Sequence, residues 1–350
     1  VSLAGFFSTS FASTLFMTAA KVHPRQALFG SADIAPSLPV CDHYAGVESR
    51  MHKSLQLQAD MGPVFDVTLD CEDGAPVGGE NEHAQRVAEL ITSSRNAHGR
   101  VGARVHPVDH TSFDADVNTL VKHAGARLAY LMVPKVNGIA QVQQAVDAVD
   151  CALREHGYTK PLPVHVLIET HGALREVERI AAHPRIESLS FGLMDFVSAH
   201  RGAIPLAGMS ATGQFEHPLV IRAKLEIAAA CHAHSKTPSH CVVTEFKKLD
   251  LLQEAVHKAA RSLGYLRMWS IHPDQIRPIV EAFAPTAAET DQALEILLAA
   301  QAADWAPISH RQTLHDRASY RYFWHLLERA DRTGQPLPAQ ARAAFFTETA

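Results

Sequence analysis

The sequence predicts an α/β fold, a (β/α)₈ barrel (TIM barrel) with a C-terminal helical extension. Three observations lead there. Eight short apolar runs lie between residues 26 and 273, helical periodicity fills segments between them, and polar residues recur at the run ends. Strands of a parallel sheet covered by helices are apolar on both faces, and a barrel gathers their C-terminal ends on one rim. A chain of 350 residues accommodates such a barrel of roughly 250 residues and an appendage.

In chain order the expected strands are QALFGSA (26–32), VFDVTLD (64–70), VGARVHP (101–107), AYLMVPKV (129–136), VHVLIET (164–170), SLSFGLMDF (188–196), HCVVTEF (240–246) and LRMWSIHP (266–273). Between the fourth and fifth, Asn137 is the expected N-cap of a helix carrying Ile139, Val142, Val146, Val149 and Leu153 at steps of three and four. Leu249, Leu252, Val256, Ala259 and Leu263 repeat the pattern and run into Gly264, a helix stop. Pro285 closes the barrel, which is assigned to residues 25–285 as the catalytic domain. Beyond it, Asp291–Ala303 and Ala318–Arg332 read as helices of an arm, residues 286–350, expected to pack on a neighbouring subunit. The first twenty residues lack the basic start of a secretory signal and are too polar to span a membrane. Residues 1–24 are read as an arm, either disordered or an over-extended start with Met17 the initiator.

Apolar residues form 47% of the chain and charged residues 20%, an ordinary globular balance with material for a large core. The net charge of −5 supplies no footprint for nucleic acid or an anionic membrane, and no P-loop or GxGxxG occurs. The five cysteines form no CxxC and no disulfide framework, so reduced thiols and a cytoplasmic location are expected.

Two carboxylates stand where the fifth and sixth strands end, Glu169 and Asp195. Neighbouring strands lie about 4.8 Å apart, so both could hold one divalent cation. Oxygen ligands select Mg²⁺ or Mn²⁺, and Mg²⁺ takes one or two carboxylates with water and substrate. The alternative is that each acid caps a helix or pairs with a base. LDCEDG brings Asp70, Glu72 and Asp73 to the end of the second strand, and the third brings Arg104. Arg104 could grip a substrate carboxylate with its bidentate fork, or pair internally with Glu72 or Asp73. Lys135 is either a Schiff-base lysine or, beside so many acids, a paired cation. His272 before Pro273 reads as a packing residue of the loop.

Taken in order, the blocks RQALF (25–29), VTLDCEDGAP (67–76), RVHP (104–107), LMVPKV (131–136), LIET (167–170), LSFGLMDF (189–196) and LGYLRMWSIHPDQI (263–276) resemble the HpcH/HpaI aldolase and citrate lyase β-subunit family, which includes malyl-CoA lyases. The resemblance implies a Mg²⁺-dependent carbon–carbon lyase acting on a short 2-oxo or hydroxy acid, the substrate carried as a CoA thioester. It implies Glu169 and Asp195 as metal ligands, Arg104 as the holder of the substrate carboxylate, and Glu72 and Asp73 beside the metal waters. It also implies Arg25 and Lys135 as contacts of the cofactor. TLHDRASY resembles the family segment in which an aspartate from a neighbouring subunit acts as acid/base, which points to Asp316 and to a homotrimer or homohexamer. Asp316 equally reads as a helix N-cap. The chain departs from the pattern at LFGSADIAPSLPVCDHYAGVESRMHK, which carries Asp33 and an insertion-like stretch, and at His106, where the family has asparagine. A thioester hydrolase on the same site is the nearest competing activity. A non-catalytic barrel subunit or scaffold is the competing class, and buried rim charges, which cost desolvation energy, weigh against it.

Overall fold

The computed structural model describes residues 22–30 and 37–346, so the start of the N-terminal arm, with Met17, and Asp33 lie outside the described residues. Eight parallel strands close into a barrel: β1 Cys41–Ala45, β2 Phe65–Asp70, β3 Val101–Arg104, β4 Leu131–Val133, β5 Val164–Ile168, β6 Ile186–Phe191, β7 Thr237–His240 and β8 Arg267–Ser270. The pairing of Cys41 with Met268 closes the ring.

Two expected strands are corrected. QALFGSA is not a strand: Pro24–Phe29 is a helix with proline in its first turn, and Gly30, at φ 60°, stops it. Its Leu28 belongs to the core of the C-terminal helices, not to the barrel. The first strand is instead CDHYA, whose Asp42 and His43 are polar yet buried. The seventh strand is Thr237–His240, so the apolar residues Val242 and Val243 follow the sheet and do not form it.

Side chains alternate across each strand. Phe65, Val67 and Leu69 join the core beneath the outer helices, while Asp66, Thr68 and Asp70 face the barrel interior. That interior is layered. At the floor, Arg267 pairs with Asp42 at 2.9 Å and with Asp66, and Thr68 donates to Asp42 at 2.7 Å. Tyr130 reaches this layer because a Cβ on Gly102 would lie 2.3 Å from its ring. Above the floor, Met132, Leu167 and Trp269 form an apolar layer completed by Tyr44, whose ring stacks on Trp269 at 4.2 Å. The rim lies above that.

Helices Ala287–Ala302, Arg317–Arg332 and Ala339–Phe345 pack on each other and on helix Pro24–Phe29 through Leu28, Ile296, Leu297, Trp324 and Phe345. Between the first two stands a hairpin, Ile308–His310 with Thr313–His315. Among the described residues no helix is long and apolar enough to cross a membrane.

Candidate active site

Asp70, the last residue of β2, is held in place by its own loop. Its Oδ1 accepts from the Glu72 N–H at 3.0 Å and its Oδ2 from the Gly74 N–H at 2.8 Å. A Cβ on Gly74 would lie 2.2 Å from that oxygen, so only glycine lets the loop close on the carboxylate. Asp70 then accepts both prongs of Arg104, from Nε at 2.7 Å and Nη2 at 2.5 Å. Arg104 Nη1 lies 3.0 Å from Glu72 Oε2, and the guanidinium stands 5.4 Å from the Tyr44 ring centroid. Burial alone would lower the Arg104 pKa, but Asp70 and Glu72 raise it well above its ordinary value. The expected pairing of Arg104 is therefore corrected in part. Asp70 is its main partner, Glu72 its second, and Asp73 belongs to Lys135.

Lys135 is the hub of the rim. Its backbone takes a left-handed conformation at φ 52°, uncommon outside glycine. From there its N–H donates to Glu169 Oε1 at 2.6 Å, while its ammonium reaches Glu72 at 2.5 Å and Asp73 at 2.7 Å. Asp195 Oδ1 is 4.0 Å from the same nitrogen. Desolvation opposes the charge, but the hydrogen bonds to Asp73 and Glu72 raise the pKa above the ordinary lysine value. Lys135 is thus a paired cation, not a free amine awaiting a carbonyl.

Glu169 follows β5 directly and is 3% exposed. Gly192 makes its room, since a Cβ there would lie 2.2 Å from Glu169 Oε2. Burial, then the charge of Asp195, pushes the Glu169 carboxyl up to about 7. The sequence placed Asp195 at the end of the sixth strand, and this is corrected. β6 stops at Phe191, and Asp195 stands in the first turn of the short helix Leu193–Ser198, which opens after Gly192. With Glu169 and Lys135 it lines a cavity of about 510 Å³ at the rim.

The two carboxylates fit a hard divalent cation. Both offer only oxygen, they repel one another, and the raised Glu169 carboxyl is the group that a nearby cation would return to its charged form. Among the described residues no cluster of three or more His, Cys, Asp or Glu is arranged to hold a metal. Two carboxylates with water and substrate in the remaining positions would suit Mg²⁺.

Other predicted residues lie elsewhere. Arg25 is paired with Glu328 at 2.8 Å and lines a cavity with Val40, Thr237 and Leu266, at the opposite, N-terminal face of the barrel. Asp316 caps helix Arg317–Arg332, accepting from the Ala318 N–H at 2.9 Å, and makes no contact with the rim acids. His106 holds Asp116 at 2.6 Å beneath His110, and His272 caps helix Pro273–Phe283 while stacking on Phe246. Sequence reasoning gave no role to Gly192 or Tyr44, and it placed Asp70 at the strand end without pairing it to Arg104. Both the glycine after SLSF and the first acid of LDCEDG were visible signals.

Known proteins share this architecture. The profile of the HpcH/HpaI aldolase/citrate lyase family matches residues 51–273. The L-malyl-CoA/beta-methylmalyl-CoA lyase of Cereibacter sphaeroides is 30% identical over 254 residues, covering 68% of this chain and 77% of that one. A crystal structure of a citrate lyase from Burkholderia xenovorans LB400 superposes with a TM-score of 0.81 at 52% identity, covering 93% of this chain and all of the other. The protein CitE of Mycobacterium tuberculosis, solved with magnesium, acetoacetate and coenzyme A, shares the fold at TM-score 0.64 and 19% identity, over 84% of this chain and 99% of that one. The chain belongs to the HpcH/HpaI aldolase/citrate lyase family and is a lyase-class enzyme.

Proposed function

We propose that this family member is a Mg²⁺-dependent carbon–carbon lyase that cleaves or forms a short 2-oxo or hydroxy acid carried as a CoA thioester. The observation that carries the reading is the Glu169–Asp195 carboxylate pair beside a guanidinium fixed by Asp70 and an ammonium fixed by Glu72 and Asp73. Glu169 and Asp195 would hold the metal, which when bound polarises the substrate oxygen on which charge changes. The rest falls to the chain itself. Arg104 has five N–H donors, of which Asp70 engages two. Nη1 also approaches Glu72 at 3.0 Å, and the N–H groups left over would face the carboxylate or developing negative charge of a substrate, pre-oriented before it arrives. Lys135 fixes Glu169 through its backbone and keeps Glu72 and Asp73 from repelling an anionic substrate.

The CoA part is supported by a second cavity, of about 470 Å³, at the ends of β1 and β8. Arg50 and Lys53 supply cations there, and Phe246 stacked on His272 supplies a flat apolar wall. That combination suits phosphates and a purine ring. The lyase of Cereibacter sphaeroides bears a CoA thioester in its name. Asp316 would act as acid/base in a neighbouring subunit of a homotrimer or homohexamer. Its hairpin carries Leu314, 75% exposed, which an adjoining subunit would cover.

The test is product analysis. Malyl-CoA and citramalyl-CoA are incubated with the protein and Mg²⁺, with EDTA and Glu169→Gln as controls. Acetyl-CoA plus an oxo acid, lost in both controls, supports the reading. Free CoA with intact hydroxy acid would identify a thioester hydrolase, and no turnover with either ester would remove the CoA assignment.

A further inference from the structure

The face of the barrel opposite the rim holds a cavity of about 370 Å³ between helix Arg317–Arg332 and the starts of β1, β7 and β8. Among the described residues three arginines line it, Arg25, Arg329 and Arg332, with one carboxylate, Glu328; Lys236 also lines it and has a partner of its own. That carboxylate is fully engaged. Arg25 donates to Oε1 at 2.8 Å and His325 lies 3.1 Å from Oε2. Arg332 spends its Nε–H on the Glu328 carbonyl at 3.1 Å. Arg329, half-buried, has no hydrogen-bond or ion-pair partner for its guanidinium among the described residues. The nearby Glu289 is taken by Arg261 at 2.9 Å.

A guanidinium drawn part-way out of water and left unpaired loses hydration without compensation. Burial, and next the like charge of Arg332, lowers the Arg329 pKa, and burial lowers that of Arg332. Two arginines one helical turn apart, at positions 329 and 332, thus present the same face to one cavity. Leu38, Leu266 and Tyr322 give the same cavity an apolar wall.

We propose that this cavity is a binding site for a phosphate monoester, separate from the active site. A phosphoryl group brings three acceptor oxygens and a charge of about −1.5 to −2, a closer match to several clustered cations than one carboxylate. The apolar wall accommodates the organic part of the ester. The bound group would link helix Arg317–Arg332 to the floor of the barrel and so stabilise the folded chain by mass action.

The experiment is calorimetric titration of inorganic phosphate and of AMP into the full chain at low ionic strength, with citrate as the competing anion. Thermal unfolding is followed in the same solutions. Saturable phosphate binding is expected, tighter for AMP because of the apolar wall, and weakened at least about tenfold by Arg329→Gln or Arg332→Gln. Arg222→Gln, which removes an exposed charge paired with Glu226, leaves it unchanged. Binding persists in Glu169→Gln and without Mg²⁺, which separates this site from the rim and from CoA. The proposal is overturned by absence of saturable binding, by equal binding in the Arg329 and Arg332 variants, or by citrate binding more tightly than both phosphates. An altered oligomeric state in Arg329→Gln would likewise overturn it, since the cavity would then be a subunit contact.

Discussion

Gly192→Ala tests the proposed metal role of Glu169 without touching a charged residue. Gly192 has φ −91° and ψ 83°, so alanine meets no left-handed backbone there, and the whole effect is steric. The new Cβ would stand 2.2 Å from Glu169 Oε2, 2.5 Å from its Cβ and 3.0 Å from its Cδ. Ordinary carbon contacts begin at about 3.5 Å, so the carboxylate must retreat by about 1 Å. Gly192 cannot yield easily, because its N–H donates to the Ile168 carbonyl at 3.1 Å. Glu169 must therefore move, and it is tied to the Lys135 N–H at 2.6 Å. Losing a hydrogen bond to a charged group costs about 1.5–3 kcal/mol, so Mg²⁺ affinity should fall by about 10- to 100-fold. The assay is calorimetric titration of Mg²⁺ into metal-free protein, with and without glyoxylate, and thermal unfolding checks that the fold survives. If the variant binds Mg²⁺ within about twofold of wild type, Glu169 is not a ligand and the metal reading of the rim falls.

Three further outcomes are expected. Arg267→Met leaves Asp42, and in part Asp66, as uncompensated carboxylates at the barrel floor; although Arg100 still holds Asp66 at 2.7 Å, stability should fall by about 3–5 kcal/mol by urea denaturation, and an unchanged midpoint would refute the floor network. Lys224 is fully buried, donates to Gln214 at 2.7 Å, and is pushed by burial from 10.5 down to about 8. Between those values the unfolded chain keeps a proton that the folded chain has released, so stability rises with pH through that window, and below it the penalty of about 3 kcal/mol is fully present. Lys224→Met should abolish that rise, and parallel stability curves for the two proteins between pH 8 and 10.5 would contradict it. Asp316→Asn should abolish turnover while sparing Mg²⁺ binding, and mixing it with Glu169→Gln should restore activity through mixed oligomers; mixtures that stay inactive would confine Asp316 to its capping role.

The barrel was legible because six of its eight strands contain an apolar run at the expected place, and helices separate them. The first strand was hidden by the same physics that makes it necessary. CDHYA carries Asp42 into the interior to meet Arg267, a residue distant in sequence, so no local pattern marks it as buried. QALF looked like a strand because it is apolar, but its apolar partner is the C-terminal helical core. At the site, residue types were readable and pairings were not. LDCEDG offered three acids to Arg104, and the choice of Asp70 depends on two backbone N–H groups and a missing Cβ at Gly74. Gly192 stood in view after SLSF, but its role was not readable for the same reason, since its importance lies in what a side chain would strike.

The rim's charges favour Glu169 and Asp195, over the other acids, as the pair proposed to hold a cation. Asp70 is neutralised by Arg104, which also approaches Glu72. Glu72 and Asp73 share the Lys135 ammonium. Glu169 receives from Lys135 only a backbone N–H, and Asp195 stands 4.0 Å from the ammonium, at the limit of pairing. The cations on the protein are therefore spent mainly on the acids of the β2 loop, and the acids after β5 and β6 are the less compensated pair. A lysine placed nearer Glu169 would close the site to metal. The left-handed turn at Lys135 prevents that, since it turns the N–H toward Glu169 and sends the ammonium the other way.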